Sequence, residues 1–403
     1  MSQALSRGCG PRRLRGLVVV PTRDLAQQVF EVCSTLCPRV GLACGLVAGK
    51  EIEKVEAAML ADSDGQSCVD VVIATPGRLM AHMKKTPGFT LDHLEVLVVD
   101  EADRLLRQSY NQWLPQVMGA LDTAHPRLQA FGQRAPLRQS GVLKLIVSAT
   151  LTQDPSKIDR LQLHCPRYVA VSSQDYRYKL PRELKEFKVM CDGSDKPLVL
   201  VALLNELSDH QTIVFTSSVE STHRLWVMLK CFEGLHESVV EFSSHVSEAQ
   251  RQASLEMFRS RAAKVLVASD ALTRGMDVPG VTAVVNYDTP VYAKTYVHRA
   301  GRTARAGRRG HVYTLLRFED VKHFKVMLRK ADNTYVKDHT VPRDHVEALR
   351  PQLPAVLEKV GSKLRSEARG AGLDIAPEEK QLAAIISLQA QRNLAAAASA
   401  GKA

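Results

Sequence analysis

The residues best suited to chemistry close an apolar run, Val96-Leu-Val-Val-Asp100-Glu101-Ala102-Asp103. A strand that ends in carboxylates delivers them to the carboxyl edge of a parallel sheet, where open α/β folds bind their ligands. One carboxylate there can hold Mg²⁺ through water while a second group orients an attacking water, as in phosphoryl-transfer sites. On that reading Asp100 is the metal residue and Glu101 the base. Alone, the tetrapeptide would equally suit a solvated helix start, where acids meet the positive end of the helix dipole. A second cluster, His298-Arg-Ala-Gly-Arg302-Thr-Ala-Arg305-Ala-Gly307, spaces Arg302 and Arg305 so that on a helical turn both guanidinia would point one way. Guanidinium forks pair bidentately with phosphate oxygens and neutralise transition-state charge, worth about 10³ to 10⁵ in rate for arginine fingers. Without the acids upstream, the cluster would pass for a basic surface patch.

Both clusters need a rigid frame. Short apolar runs at Leu17–Val20, Val71–Ala74, Val96–Val99 and Leu143–Val147 alternate with amphipathic stretches, the pattern of buried parallel strands joined by crossover helices. The rhythm returns at Ile213–Phe215, Val265–Ala268, Val281–Val285 and Val312–Leu316, after a polar stretch at Ser172–Lys179. The expected organisation is α/β: a first domain over residues 1–171, a linker at 172–183, a second domain at 184–335 and a helical extension at 336–403. Ala124–Ser140, rich in Pro, Gln and Arg, is expected to be an exposed insertion. Beyond Tyr335 no strands are expected, and Val346–Leu364 and Glu378–Ala398 look helical. That tail would be either an RNA-binding or partner-binding extension or a loosely held helix, with the second preferred.

The formal net charge over 403 residues is +11, and the basic residues are scattered instead of gathered in one polybasic tail. Such a balance favours polyanions, nucleic acid first, although a merely basic soluble surface would give the same sum. No apolar run approaches the roughly 18 to 20 residues of a membrane-spanning helix, so no integral membrane role is expected. Met1–Gly16 carries Arg7, Arg12, Arg13 and Arg15 without an apolar stretch of signal-peptide length, which argues against secretion and leaves a mitochondrial presequence as the alternative. The eight cysteines read as reduced thiols. Cys33, Cys37 and Cys44 lack a second ligand pair at zinc-site spacing, and Cys33 and Cys37, one helical turn apart, are expected to face the core.

In order and setting, the acid and arginine clusters resemble those of the DEAD-box RNA helicases. Pro21-Thr-Arg-Asp-Leu-Ala26 is similar to the family's motif Ia, Thr75-Pro-Gly-Arg78 to motif Ib and Ser148-Ala-Thr150 to motif III. Ile213-Val-Phe-Thr216-Ser-Ser218 resembles motif IV, and Ser269-Asp-Ala-Leu-Thr-Arg-Gly-Met-Asp277 motif V. The resemblance spans roughly Leu17 to Leu328 and implies two tandem RecA-like domains with parallel sheets. It implies ATP and Mg²⁺ as cofactors and an ATP-dependent RNA helicase activity, with both domains closing together for catalysis. Pro21, Thr22, Arg23, Gly49, Thr75, Pro76, Gly77 and Arg78, with Thr216, Thr273, Arg274 and Gly275, would line one RNA strand, through contacts that position without reading bases. Ser148 and Thr150, with Asp103 and His298, would couple the acids to RNA, Asp277 would touch the nucleotide ribose, and Arg302 and Arg305 would reach its phosphates. The insertion, Phe242-Ser-Ser244 and Trp113-Leu-Pro115 also resemble a subgroup that assembles the large ribosomal subunit. That implies pre-ribosomal RNA and assembly factors as partners, a monomer, and a place in the nucleus and nucleolus.

The sequence departs from the family at one place that matters. No Gly-x-x-x-x-Gly-Lys-Ser/Thr loop precedes Pro21, no glutamine motif for adenine is found, Gly49-Lys50 runs into Glu51, and Ala48-Gly49 stands where the family has a glycine pair. The first domain is therefore expected to be incomplete, shortened at its N-terminus, and to bind ATP poorly, since that loop anchors the β- and γ-phosphates. An ATP-independent RNA-binding or dominant-negative fragment is the rival expectation, and a DNA helicase a further one.

Overall fold

The computed structural model describes residues 12–370 except 50–52, 108–111, 125–140, 149–158, 164, 170–179, 182, 271–277, 279, 306 and 331–335. The Pro- and Gln-rich insertion beyond Ala124, the polar stretch 172–179 and the expected helix at 378–398 thus lie outside the described residues. The chain divides into two compact units, with the boundary between Gln174 and Asp175.

The first unit runs β1 (Gly16–Val19), α1 (Arg23–Leu36), β2 (Cys44–Val47), α2 (Glu53–Leu60), β3 (Val71–Ala74), α3 (Pro76–Lys85), β4 (Val96–Val99), α4 (Ala102–Arg107), α5 (Trp113–Ala124) and β5 (Leu143–Ile146). Its sheet is parallel in the order β2-β3-β1-β4-β5. β1 and β3 are buried at every residue, as their unbroken apolar runs require in a sheet covered on both sides. α1 starts where it does because Thr22 caps it, its Oγ1 accepting the Leu25 N–H at 3.4 Å, with Asp24 in the first turn.

The two faces of this sheet are covered unequally. Leu17, Val19, Val72, Ala74, Leu97 and Val99 point to one side and pack with Leu79, Trp113, Val117 and Leu161. Val18, Val71, Ile73 and Val96 point to the other and meet Leu25 and Ala26 of α1. The register pairs Val96 with Leu143 and Val98 with Leu145, so β5 shares that second face. There Leu143 is 52% exposed, Leu145 39% and Val147 50%.

The second unit runs β6 (Leu184–Met190), α6 (Lys196–Glu206), β7 (Thr212–Thr216), α7 (Val219–Cys231), β8 (Val239–Phe242), α8 (Glu248–Arg259), β9 (Val265–Ser269), β10 (Ala283–Asn286), α9 (Ala293–Ala300), β11 (Gly310–Leu316), α10 (Asp320–Lys330), β12 (Lys337–Asp338), α11 (Arg343–Leu349) and α12 (Leu353–Gly370). Its parallel sheet has the order β12-β6-β11-β10-β7-β9-β8. β7, β8, β9 and β10 are buried at every residue. Two parallel α/β sheets agree with the expected fold class.

Three features differ from expectation. β12 pairs with β6 beyond the point where strands were expected to stop. The helix expected at Val346–Leu364 is two helices, because a 3₁₀ turn at Arg350–Gln352, carrying Pro351, interrupts it. The described part of the tail is not loosely held. Val346, Val356 and Val360 are buried in the second core, and Arg350 donates to both Asp195 oxygens at 3.0 Å.

Candidate functional site

At the carboxyl end of β4 the chain turns sharply. The Asp100 N–H donates to the Val19 carbonyl at 3.1 Å, still in register with β1, while the Asp100 carboxylate accepts the Glu101 N–H at 2.8 Å. Glu101 takes φ 51°, a left-handed conformation that costs a non-glycine residue about 1 to 3 kcal/mol and clusters at functional sites. Burial raises the Asp100 pKa above its ordinary value, and the Glu101 N–H offsets part of that. A half-buried carboxylate whose charge is poorly solvated fits a divalent cation held through water.

The same turn is tied to the end of β5. Ser148 Oγ donates to Asp103 at 2.9 Å, and the Ala102 N–H donates to the Val147 carbonyl at 3.1 Å. Asp103 and Ser148, two residues expected to act together, are thus in direct contact. Thr150 lies outside the described residues.

Three separate segments meet beyond the carboxyl ends of β1, β2 and β3. A Cβ added to Gly49, which has φ +76°, would stand 3.3 Å from Arg23 Nη2 and 3.6 Å from Arg78 Cδ. Thr75 enters α3 in an extended conformation with Pro76 in the first turn, which leaves Gly77 exposed and Arg78 half-buried at the helix start. Pro21 and Thr22 are buried, and Arg23 is exposed. Helix starts of this kind receive phosphates through backbone N–H groups.

Glu56, which the sequence did not single out, organises this surface. It is 2% exposed and accepts from the Gly49 N–H at 2.9 Å, from Arg78 Nε, and from the fully buried His82 Nε2 at 2.9 Å. One carboxylate therefore fixes both the positive-φ loop and the arginine. Its signal was its place one helical turn from buried Leu60 on α2.

Thr273, Arg274, Gly275 and Asp277 lie outside the described residues. Arg302 and Arg305 do not share a helical turn, because α9 ends at Ala300 and both lie in the turn that follows. Each nevertheless folds back in the same way, Arg302 Nε donating to the His298 carbonyl at 3.1 Å and Arg305 Nε to the Gly301 carbonyl at 2.8 Å. His298 and Arg302 are buried. Thr216 is fully buried, with its Oγ1 2.6 Å from Thr222 Oγ1, so its side chain holds the turn after β7 and does not face a ligand.

Arg299, also not singled out beforehand, ties these segments together. It is 2% exposed and donates to Asp270 at 2.6 and 2.9 Å, to Asn286 Oδ1 at 3.2 Å and to the Asp288 carbonyl at 2.6 Å. Its guanidinium also lies over Phe215, 5.2 Å from the ring centre.

Comparison with known proteins gives the family and the fold. The DEAD/DEAH box helicase family model matches residues 3–158, and the helicase conserved C-terminal domain matches residues 195–307. The rice protein "DEAD-box ATP-dependent RNA helicase 1" is 42% identical over 393 residues, covering 89% of this chain and 75% of the relative. Human "ATP-dependent RNA helicase DDX51" is 37% identical, covering 88% of this chain and 57% of the relative, and Aspergillus niger "ATP-dependent RNA helicase dbp6" is 39% identical, covering 80% and 59%. Among solved structures, Mss116 bound to ssRNA and UDP-BeF superposes with a TM-score of 0.68 at 20% identity, covering 90% of this chain and 73% of that one. Dbp5 of S. cerevisiae bound to RNA and ADP BeF3 gives 0.66 at 21%, covering 87% and 83%. These likenesses show the RecA-like helicase fold, and the sequence relatives give the family: the chain belongs to the DEAD-box ATP-dependent RNA helicases.

Proposed function

We propose that this chain is the helicase core of a protein that remodels pre-ribosomal RNA during large-subunit assembly in the nucleolus, working as a monomer among assembly factors. The observation that carries the RNA reading is the convergence of Arg23, Gly49 and Arg78 about buried Glu56, which presents two cations and a helix start on one surface. In this reading Asp100 holds Mg²⁺ through water, Glu101 orients the attacking water, and Asp103 with Ser148 links the acids to the end of β5. Arg302 and Arg305 supply positive charge toward the nucleotide phosphates, and Asp277 contacts its ribose. Thr22, Thr75, Pro76 and Gly77 shape the first part of the RNA path, and Thr273, Arg274 and Gly275 the second. The metal, when bound, neutralises phosphate charge. The nucleolar setting rests on the DDX51 and dbp6 relatives and on the sequence features of that subgroup.

A second reading is favoured by one observation: the 403 residues contain no Gly-x-x-x-x-Gly-Lys-Ser/Thr. In it the chain as given holds RNA without turning over ATP. RNA-stimulated ATPase separates the two. The 403-residue chain should turn over negligibly, and a chimera carrying a relative's phosphate-loop segment before β1 should turn over with RNA and lose that turnover in Glu101→Gln. RNA affinity should fall steeply with salt, each neutralised phosphate contributing about 0.7 to the log–log slope. Arg23→Ala and Arg78→Ala should each flatten that slope, and an unchanged slope in both would misplace the RNA path.

A further inference from the structure

Four side chains from four segments of the second unit converge beside β8. His223 comes from α7, Glu241 from β8, His245 from the turn after β8, and Glu367 from the end of α12. His223 Nδ1 lies 2.9 Å from a Glu241 oxygen, and its Nε2 lies 2.8 Å from a Glu367 oxygen. His245 stacks on His223 with ring centres 3.9 Å apart and planes 20° from parallel. One donor atom each from His223, Glu241 and His245 lies within 4.8 Å of the other two. The Ser243 hydroxyl donates to the second Glu241 oxygen. His223 and Glu241 are buried, whereas His245 is open to solvent.

We propose that His223, Glu241 and His245 bind a divalent transition-metal ion of the zinc type, with Glu367 and Ser243 as its outer partners. Two imidazoles and one carboxylate form a donor set that suits such ions and leaves a fourth position for water. Metal-bound histidines donate their other ring N–H to a carboxylate, which fixes the ring and raises its basicity. Glu367 already provides that acceptor at Nε2, so Nδ1 is the nitrogen left facing Glu241 and the ion. Bond lengths of about 2.0 to 2.2 Å set tetrahedral donor atoms roughly 3.3 Å apart. The His223–Glu241 pair needs only to open slightly, and exposed His245 is free to turn inward. The ion takes the place of the proton between Nδ1 and Glu241, which is released to solvent. Charge complements the exchange, since two carboxylates with neutral imidazoles match a dication. Bound, the ion would fasten α12 to α7 and β8, joining residues 144 apart in sequence.

The test uses the untagged 403-residue chain, stripped with chelator and titrated with Zn²⁺ by calorimetry and with Co²⁺ by absorbance. One ion per chain is expected. Trp226, whose ring centre is 5.6 Å from that of His223, should lose fluorescence as Co²⁺ binds. Glu367→Gln should weaken binding by about 10- to 100-fold. His245→Ala, which removes an exposed ring and leaves the core untouched, should weaken it further, as should His245→Gln. Exposed His236→Ala should leave it unchanged. Three results would overturn the proposal: no saturable binding, wild-type affinity in both His245 variants, or thiolate-to-cobalt charge-transfer bands, which would assign the ion to cysteines instead.

Discussion

The second sheet buries β7 to β10 completely, with helices on both faces, whereas the first covers one face and leaves the other bare at β5. The strand sequences do not explain this, for Leu143-Lys-Leu-Ile is as apolar on alternate positions as a half-buried strand should be. The difference lies in what packs against them. α1 covers Val18, Val71 and Ile73 on its face but does not extend to Leu143, Leu145 and Val147. Burial of a strand is thus set by the helices laid over it, and two RecA-like units of similar sequence rhythm can differ in stability for that reason alone.

Limited proteolysis with mass mapping puts the comparison to its largest test. Cleavage should concentrate between Leu17 and Val171 and leave a resistant second-unit fragment, because a domain holds only about 5 to 15 kcal/mol in total and a bare sheet face forfeits part of it. Equal resistance of both halves would break the comparison. A matched pair of truncations sharpens it: Leu200→Ala, at a fully buried position of α6, should cost about 2 to 5 kcal/mol in denaturant unfolding, and Leu145→Ala within about 0.5 kcal/mol. In the chimera with a phosphate-loop segment, Leu145→Ala should become costly if that segment covers β5.

Glu56→Gln should lower stability by about 1 to 3 kcal/mol, since Gly49, Arg78 and His82 all lean on that buried carboxylate. It should also weaken RNA binding, and unchanged RNA affinity would reduce Glu56 to a packing role. The smallest effect is one of pH. Burial, with His210 and Lys185 nearby, lowers the His311 pKa, and its buried Nδ1 has no hydrogen-bond partner. The unfolded chain therefore takes up this proton first as pH falls, so the His311 contribution to the second unit's stability should turn unfavourable below about pH 6.5. Melting temperatures at about pH 7.5 and 5.5, wild type against His311→Gln, isolate this: the variant should fare better than the wild type on acidification.

The parts of the fold that a sequence shows are those written in one stretch of chain. The eight apolar runs became strands because each is long enough to be buried wherever it sits, and Asp100 and Glu101 are legible because they follow such a run. Short or polar strands escaped. β2 contains Gly45, β6 alternates charge with Leu184, Phe187 and Val189, and β12 is two polar residues that pair only because β6 is there. Glu56 and Arg299 escaped for a different reason. Their ionisable partners Arg78, His82 and Asp270 lie 22 to 29 residues away, so their roles exist only after folding. Spacing alone suggests a shared helical turn for Arg302 and Arg305, because it records neighbours and not the point where α9 ends.

Arg350, gripping Asp195 from the 3₁₀ turn between α11 and α12, has a consequence for where this module can be cut. The C-terminal helicase match closes at residue 307, yet the packed unit runs on through Val346, Val356 and Val360, which lie against α6 and α7. A fragment trimmed to the match would expose a greasy flank in solution, whereas one carried to Gly370 would keep its own lid. The stretch that the family model matches is shorter than the stretch that packs together.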